Sequence, residues 1–162
     1  MSNRKSSVQW TRHLCDLCGS MVAIFGVVGV VAVAQKPYPI YTTDHLAATM
    51  ETLGPNFAAT MQSLGTADYA TTKERLSRSR EQLATTVTFW RDQEREDAIG
   101  YVRAALHGMD DLDAVLSIEL VDSTAAQAVA TDIQAACASC HTVYREQDPT
   151  TGEYRLKSDV LE

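Results

Sequence analysis

Near the carboxyl end, within AACASCHTVYRE, Cys137, Cys140 and His141 spell C-x-x-C-H. Two thiols and an imidazole within five residues can be a dithiol redox pair, part of a metal site, or the attachment point of a covalent haem. On a helix, residues three and four apart share a face, so Cys137 and Cys140 point together and His141 lies one turn on from Cys137. Thioether bonds from both sulfurs would leave the imidazole beneath the iron, and C-x-x-C-H is the attachment signature of c-type haem. The rivals do less well. A thioredoxin-like pair wants a βαβ setting, and the sequence shows no strand alternation. Zinc would need a fourth ligand or the remote pair Cys15 and Cys18, and a bare disulfide leaves His141 unexplained.

The amino end bears on the compartment. Arg4, Lys5 and Arg12 precede an uncharged run, Met21 to Ala34, that closes on Ala32-Val33-Ala34. A positive head, an apolar core and a small-residue ending make an export signal, with cleavage expected after Ala34. The competing fate is a retained anchor through residues 14–35. Cys18 to Gln35 would span about 27 Å as a helix, barely a bilayer's width, with Trp10, Tyr38 and Tyr41 as interfacial residues. Either fate exports the chain, toward the periplasmic side of a cytoplasmic membrane. Of the four cysteines, only Cys137 and Cys140 lie beyond the leader. A lone thiol pair in an oxidising compartment needs a use.

Setting aside Arg4, Lys5, Arg12 and Asp16 leaves 11 Lys and Arg against 20 Asp and Glu from residue 35 onward, a net of −9. So acidic a domain excludes nucleic acid as a partner and steers toward basic surfaces, or simply stays soluble. Lys73, Arg75, Arg78 and Arg80 form a local basic stripe, by default a solvated helix face.

The elements that must position the motif are helices. Residues 35–43, with Pro37 and Pro39, read as a linker. Leu46, Met50, Leu53, Phe57, Met61 and Leu64 then mark one amphipathic stripe, capped by Thr43 or Asp44 and interrupted by Gly54-Pro55. Leu76, Leu83, Val87 and Trp90, with Ser79 or Arg80 between, mark a second. Ile99, Val102, Leu106, Met109, Leu112 and Leu116 mark a third, opened by Glu94, Glu96 and Asp97. A fourth starts near Ser123 and carries Val129, Ile133, Cys137, Cys140, His141 and Tyr144. Residues 147–162 read as a turn-rich tail. The expected architecture is all-α: an antiparallel four-helix bundle over residues 44–146 behind the 1–34 leader. The fourth helix is alanine-rich, so the bundle would be underpacked unless something of a porphyrin's size filled it.

With the motif on the last helix of such a bundle, followed by an aromatic and by Arg145, the chain resembles the class II cytochrome c family, the cytochromes c-prime and their methionine-ligated low-spin relatives. Met50-Glu-Thr-Leu-Gly54-Pro-Asn-Phe57 is similar to that family's first-helix segment. The resemblance covers about residues 43–146 and omits the leader, the Gly-Pro pair and the tail. It implies one covalent haem c near one end of the bundle, first-helix side chains over its distal face, Arg145 near the haem edge or propionates, and a homodimer built from the first two helices.

The sixth iron position then decides the chemistry. Met50 stands where methionine-ligated relatives place their ligand; His141/Met50 coordination gives a closed, low-spin site suited to electron transfer. A core methionine is the plain alternative. In that case Leu46, Leu53 and Phe57 would guard a five-coordinate iron open to NO or CO. Met61 falls three turns further on, His45 and His107 are expected on the surface, and Trp90 either at the haem end or in the core between helices. No triad, carboxylate pair or phosphate loop is visible, so no catalysis is expected. The sequence reads as a monohaem electron carrier, its partner a redox protein or a membrane electron-transfer complex.

Overall fold

The computed structural model describes residues 41–161. The leader over 1–34, including Cys15 and Cys18, and most of the linker lie outside the described residues. Within them are four helices, α1 Thr43–Gly65, α2 Tyr69–Asp92, α3 Glu96–Leu116 and α4 Ser123–Tyr144, then a short hairpin of β1 Arg145–Gln147 and β2 Tyr154–Leu156. The architecture is all-α. No helix of the described residues is long and apolar enough to cross a membrane.

Most helix starts have a local cause. Thr42, one residue ahead of the expected caps, accepts from the His45 amide, and the His45 ring accepts from the Thr42 N–H at 3.2 Å. This is a capping box with an imidazole in the acceptor role, and it accounts for His45 on the outside. Asp68 accepts from Thr71, and Asp122 from Thr124 and Ala125. Helix α3 has no side-chain cap but places Glu96 and Asp97 in its first turn, at the positive end of its dipole. Glu94 falls short of that turn and takes a left-handed φ of 56° in the connection.

Gly54-Pro55 does not interrupt α1, which runs unbroken from Thr43 to Gly65. Both residues are exposed. The carbonyl that Pro55 leaves without a donor is that of Glu51, itself an exposed residue.

Helix α1 packs along α2, α2 along α3, and α3 along α4, while α1 and α4 share no comparable interface. The apolar stripes face inward. Leu46, Leu53 and Leu64 are buried, with Met50, Phe57 and Met61 packed half-buried against them. On α2, Ser79 rather than Arg80 takes the open stripe position, beside buried Thr72 and Thr86. Each buried hydroxyl is bonded: Thr72 Oγ1 to Ser63 Oγ at 2.9 Å across the α1–α2 seam, Ser79 to the Arg75 carbonyl, and Thr86 to that of Leu83. Small hydroxylated residues thus let α1 and α2 approach without leaving polar atoms orphaned.

The alanines of α4 have a different use from the one their sequence suggests. Ala126 and Ala130 are fully buried, and Gly108 of α3 lies so near that a Cβ there would meet Ile133 Cγ1 at 2.7 Å. Small residues here close α3 onto α4, so this part of the helix encloses no spare volume. The other α4 alanines, Ala125 and Ala128 early and Ala135, Ala136 and Ala138 around the cysteines, lie half-buried or exposed.

The basic stripe is partly consumed within the molecule. Lys73 pairs with Asp113 at 3.5 Å, Arg80 with Asp110, and Arg78 with Glu74. Tyr41, read as an interfacial residue, bonds through its hydroxyl to Thr49 and Thr85 of the bundle. The tail is ordered too. Lys157 N–H donates to the Tyr144 carbonyl, Arg95 donates to the Val160 carbonyl, and the Val160 side chain is buried.

Candidate functional site

Along α4 runs a cleft of about 460 Å³. Cys137, His141 and Arg145 stand on its wall, Phe57 reaches it from α1, and Tyr154 of the hairpin bounds its end. It lies on the side where α1 and α4 fail to close on each other. The i, i+4 spacing of Cys137, His141 and Arg145 puts all three on one face of the chain as α4 runs out. Cys140 is one step round the helix; it packs against the core and is absent from the cleft wall.

Both thiols are free and half-buried. Burial pushes the Cys137 thiol up. Burial, then the neighbouring Cys137 and the Asp97 charge, raises Cys140 to about 11. A dithiol built for exchange has a depressed pKa, so this pair does not suit that chemistry. Burial, then the Arg145 charge, lowers the His141 pKa. The imidazole is therefore neutral near pH 7, the form in which a histidine ligates metal. Among the described residues, no three His, Cys, Asp or Glu side chains gather closely enough to cage a bare metal ion.

Comparison with protein-family models, curated proteins and solved structures gives no match.

What the cleft can take follows from its own residues. Its volume lies within the about 300–1,000 Å³ usual for ligand and cofactor pockets. Its wall is mixed: one thiol, one imidazole and one guanidinium stand with Phe57, Ala138 and Tyr154 and with polar Gln134, Thr142, Glu146 and Gln147. Trp90 Nε1, packed against the end of α4, is buried without an acceptor among the described residues. Of the motif, Cys137 and His141 are on this wall, as a thiol and an imidazole that a covalently held cofactor would use, and Cys140 is not.

The other expected residues fall as follows. Met50 is half-buried against the core, between buried Leu46 and Leu53, and does not line the cleft. Phe57 is the α1 side chain that does. Arg145 lies at the cleft's end, its guanidinium 4.1 Å above the Tyr154 ring. His107 is exposed beside Asp111. Trp90 belongs to the core, 4.9 Å from the Phe89 ring and 4.6 Å from that of Tyr144.

Tyr154 lies in the stretch that the sequence marks only as turns, and it is a cleft residue. A signal existed: Asp148-Pro149 and Gly152 stand between two short polar-aromatic runs. Asp148 accepts from the Thr150 and Thr151 amides, and Gly152 takes a φ of +76°. A larger concavity, about 550 Å³, lies between α1 and α2 and is lined by Thr52, Asn56, Arg75 and Gln82 among others. It holds neither thiol nor imidazole.

Proposed function

We propose that this chain is a monohaem c-type cytochrome, similar to the class II family, that carries single electrons on the periplasmic side of the cytoplasmic membrane. Its partner would be a redox protein or a membrane complex. One observation carries the reading: Cys137 and His141 of the C-x-x-C-H motif stand with Arg145 on a cofactor-sized cleft, on the unclosed α1–α4 side. Haem bound there supplies a one-electron iron couple. The chain's own residues do the rest. Cys137 and Cys140 offer protonated thiols for thioether formation, His141 offers a neutral ring nitrogen as proximal ligand, and Arg145 offers charge to carboxylates at the cleft's end. Phe57 of the α1 stripe would shield the bound group from water, and Met50 of the same stripe is the proposed second iron ligand, for which α1 would have to turn Met50 toward the cleft.

A second reading has one observation in its favour. Phe57, not Met50, is the α1 residue on the cleft wall, which suits an apolar guard over a five-coordinate, NO- or CO-binding iron.

Absorption spectra of protein matured in a haem-attaching host, oxidised and reduced, with and without CO, test both. Low-spin bands indifferent to CO, lost in Met50→Ala, support electron transfer through His141/Met50. Rapid CO binding to the ferrous wild type, unchanged by Met50→Ala, selects the gas-binding reading. A colourless protein without the mass of a covalent haem overturns both.

A further inference from the structure

The last turn of α4 is held from outside by a corner of the bundle that the motif itself does not contain. Tyr144 follows His141 by three residues and Cys140 by four, so its anchorage governs how both are presented. Its side chain is buried, and its hydroxyl donates to Asp97 Oδ2 at 2.6 Å. The Trp90 ring packs on one side, and the Arg95 guanidinium lies 5.0 Å from the ring centroid. Arg95 in turn bonds both Asp97 oxygens, at 3.3 and 3.4 Å, and the Val160 carbonyl of the tail. Trp90 ends α2 and Asp97 begins α3, so three elements and the tail converge on one phenol ring. A helix end is where backbone bonds are weakest and fraying begins, and α4 ends at Tyr144.

We propose that Tyr144, clamped by Asp97, Arg95 and Trp90, is a positioning residue that sets the orientation of the His141 imidazole and the Cys140 sulfur. Asp97, held on the Tyr144 hydroxyl, puts a negative charge at this end of α4, which would favour the more positive, oxidised form of a haem attached there. The inference rests on the haem reading for its functional half and stands on the bundle alone for its structural half.

Two variants separate the contributions. Tyr144→Phe removes the hydrogen bond and keeps the ring and the carboxylate. Asp97→Asn removes the charge and keeps an oxygen acceptor for the hydroxyl. In the full-length haem-free chain, amide hydrogen exchange of residues 137–144 should speed by about tenfold in Tyr144→Phe, one bond's worth of protection. Ser79→Ala, which deletes a buried hydroxyl elsewhere, should leave that segment no less protected than its neighbours. In the haem-loaded protein, Tyr144→Phe should alter the electron paramagnetic resonance signature of the ferric iron, and Asp97→Asn should raise the midpoint potential. Unchanged exchange over 137–144 in Tyr144→Phe overturns the positioning role, whatever the haem does. Altered exchange with an unaltered resonance signature and potential overturns its link to the iron. Wild-type protein without covalent haem defeats the functional reading separately, because the exchange result does not depend on it.

Discussion

Gly108 of α3 and Ile133 of α4 approach so closely that no side chain fits between them: a Cβ at 108 would lie 2.7 Å from Ile133 Cγ1. The contact comes one turn before Cys137, so it sets how deeply the motif-bearing helix beds against α3.

Gly108→Ala should therefore destabilise the fold despite alanine's higher helix propensity. Overpacking of this kind costs about 1–3 kcal/mol, against roughly 1 kcal/mol gained from replacing a helical glycine. Urea unfolding should show a lower midpoint, and in an Ile133→Ala background, which lacks the Cγ1 atom in the way, Gly108→Ala should no longer lower it. An unaltered or raised midpoint in the single variant would mean that Ile133 turns aside freely.

The Tyr144–Asp97 bond predicts stability losses at both extremes of pH. The Tyr144 hydroxyl, then Arg95, holds the Asp97 carboxyl down at about 2. Its folded value lies below the ordinary 3.8, so its contribution is complete above that value and is lost as pH falls toward 2. Tyr144 is pushed up to about 12, chiefly by burial and then by Asp97. Its contribution is complete below about 10 and disappears as pH rises toward 12. Denaturant titrations across both windows should show the alkaline loss flattened in Tyr144→Phe and the acid loss reduced.

In the haem-free chain the thiols should be sluggish toward alkylation. With Cys140 at about 11 against an ordinary 9.0, its thiolate at pH 8 is roughly 100-fold scarcer than that of a free cysteine. Iodoacetamide labelling of the haem-free chain, followed by mass spectrometry, should show Cys140 slow when folded and fast in urea. Equal rates in both states would place Cys140 in water.

Pro55→Ala should stabilise α1. The substitution returns an N–H to the Glu51 carbonyl within an unbroken helix, and an interior proline is about 3 kcal/mol worse than alanine in a helix. Glu51 is exposed, where solvent offsets part of a lost helix bond, so a gain of about 1–2 kcal/mol is expected, visible as a raised Tm. A lowered Tm would indicate that the proline's restriction of the unfolded chain outweighs the bond.

The sequence by itself determined the helices and the motif. Burial every three or four residues is a one-dimensional property, so Leu46, Leu53 and Leu64, or Ile99, Val102, Met109 and Leu112, can be assigned to an inner face without knowing their partners. The C-x-x-C-H spacing carries its chemistry in the same local way. What lies between helices was decided only in three dimensions. That Ala126 and Ala130 close a tight seam, while Ala138 borders a cleft, depends on the neighbouring helices and not on α4. The cleft exists because α1 and α4 do not close on each other, and no helix's own pattern records which neighbour it lacks. Phe57 rather than Met50 reaches that cleft, although both belong to one stripe, because a stripe specifies an inward arc and not the element it faces. The clamp on Tyr144 joins residues 47 positions apart in sequence, a pairing that only the antiparallel return of α3 and α4 creates.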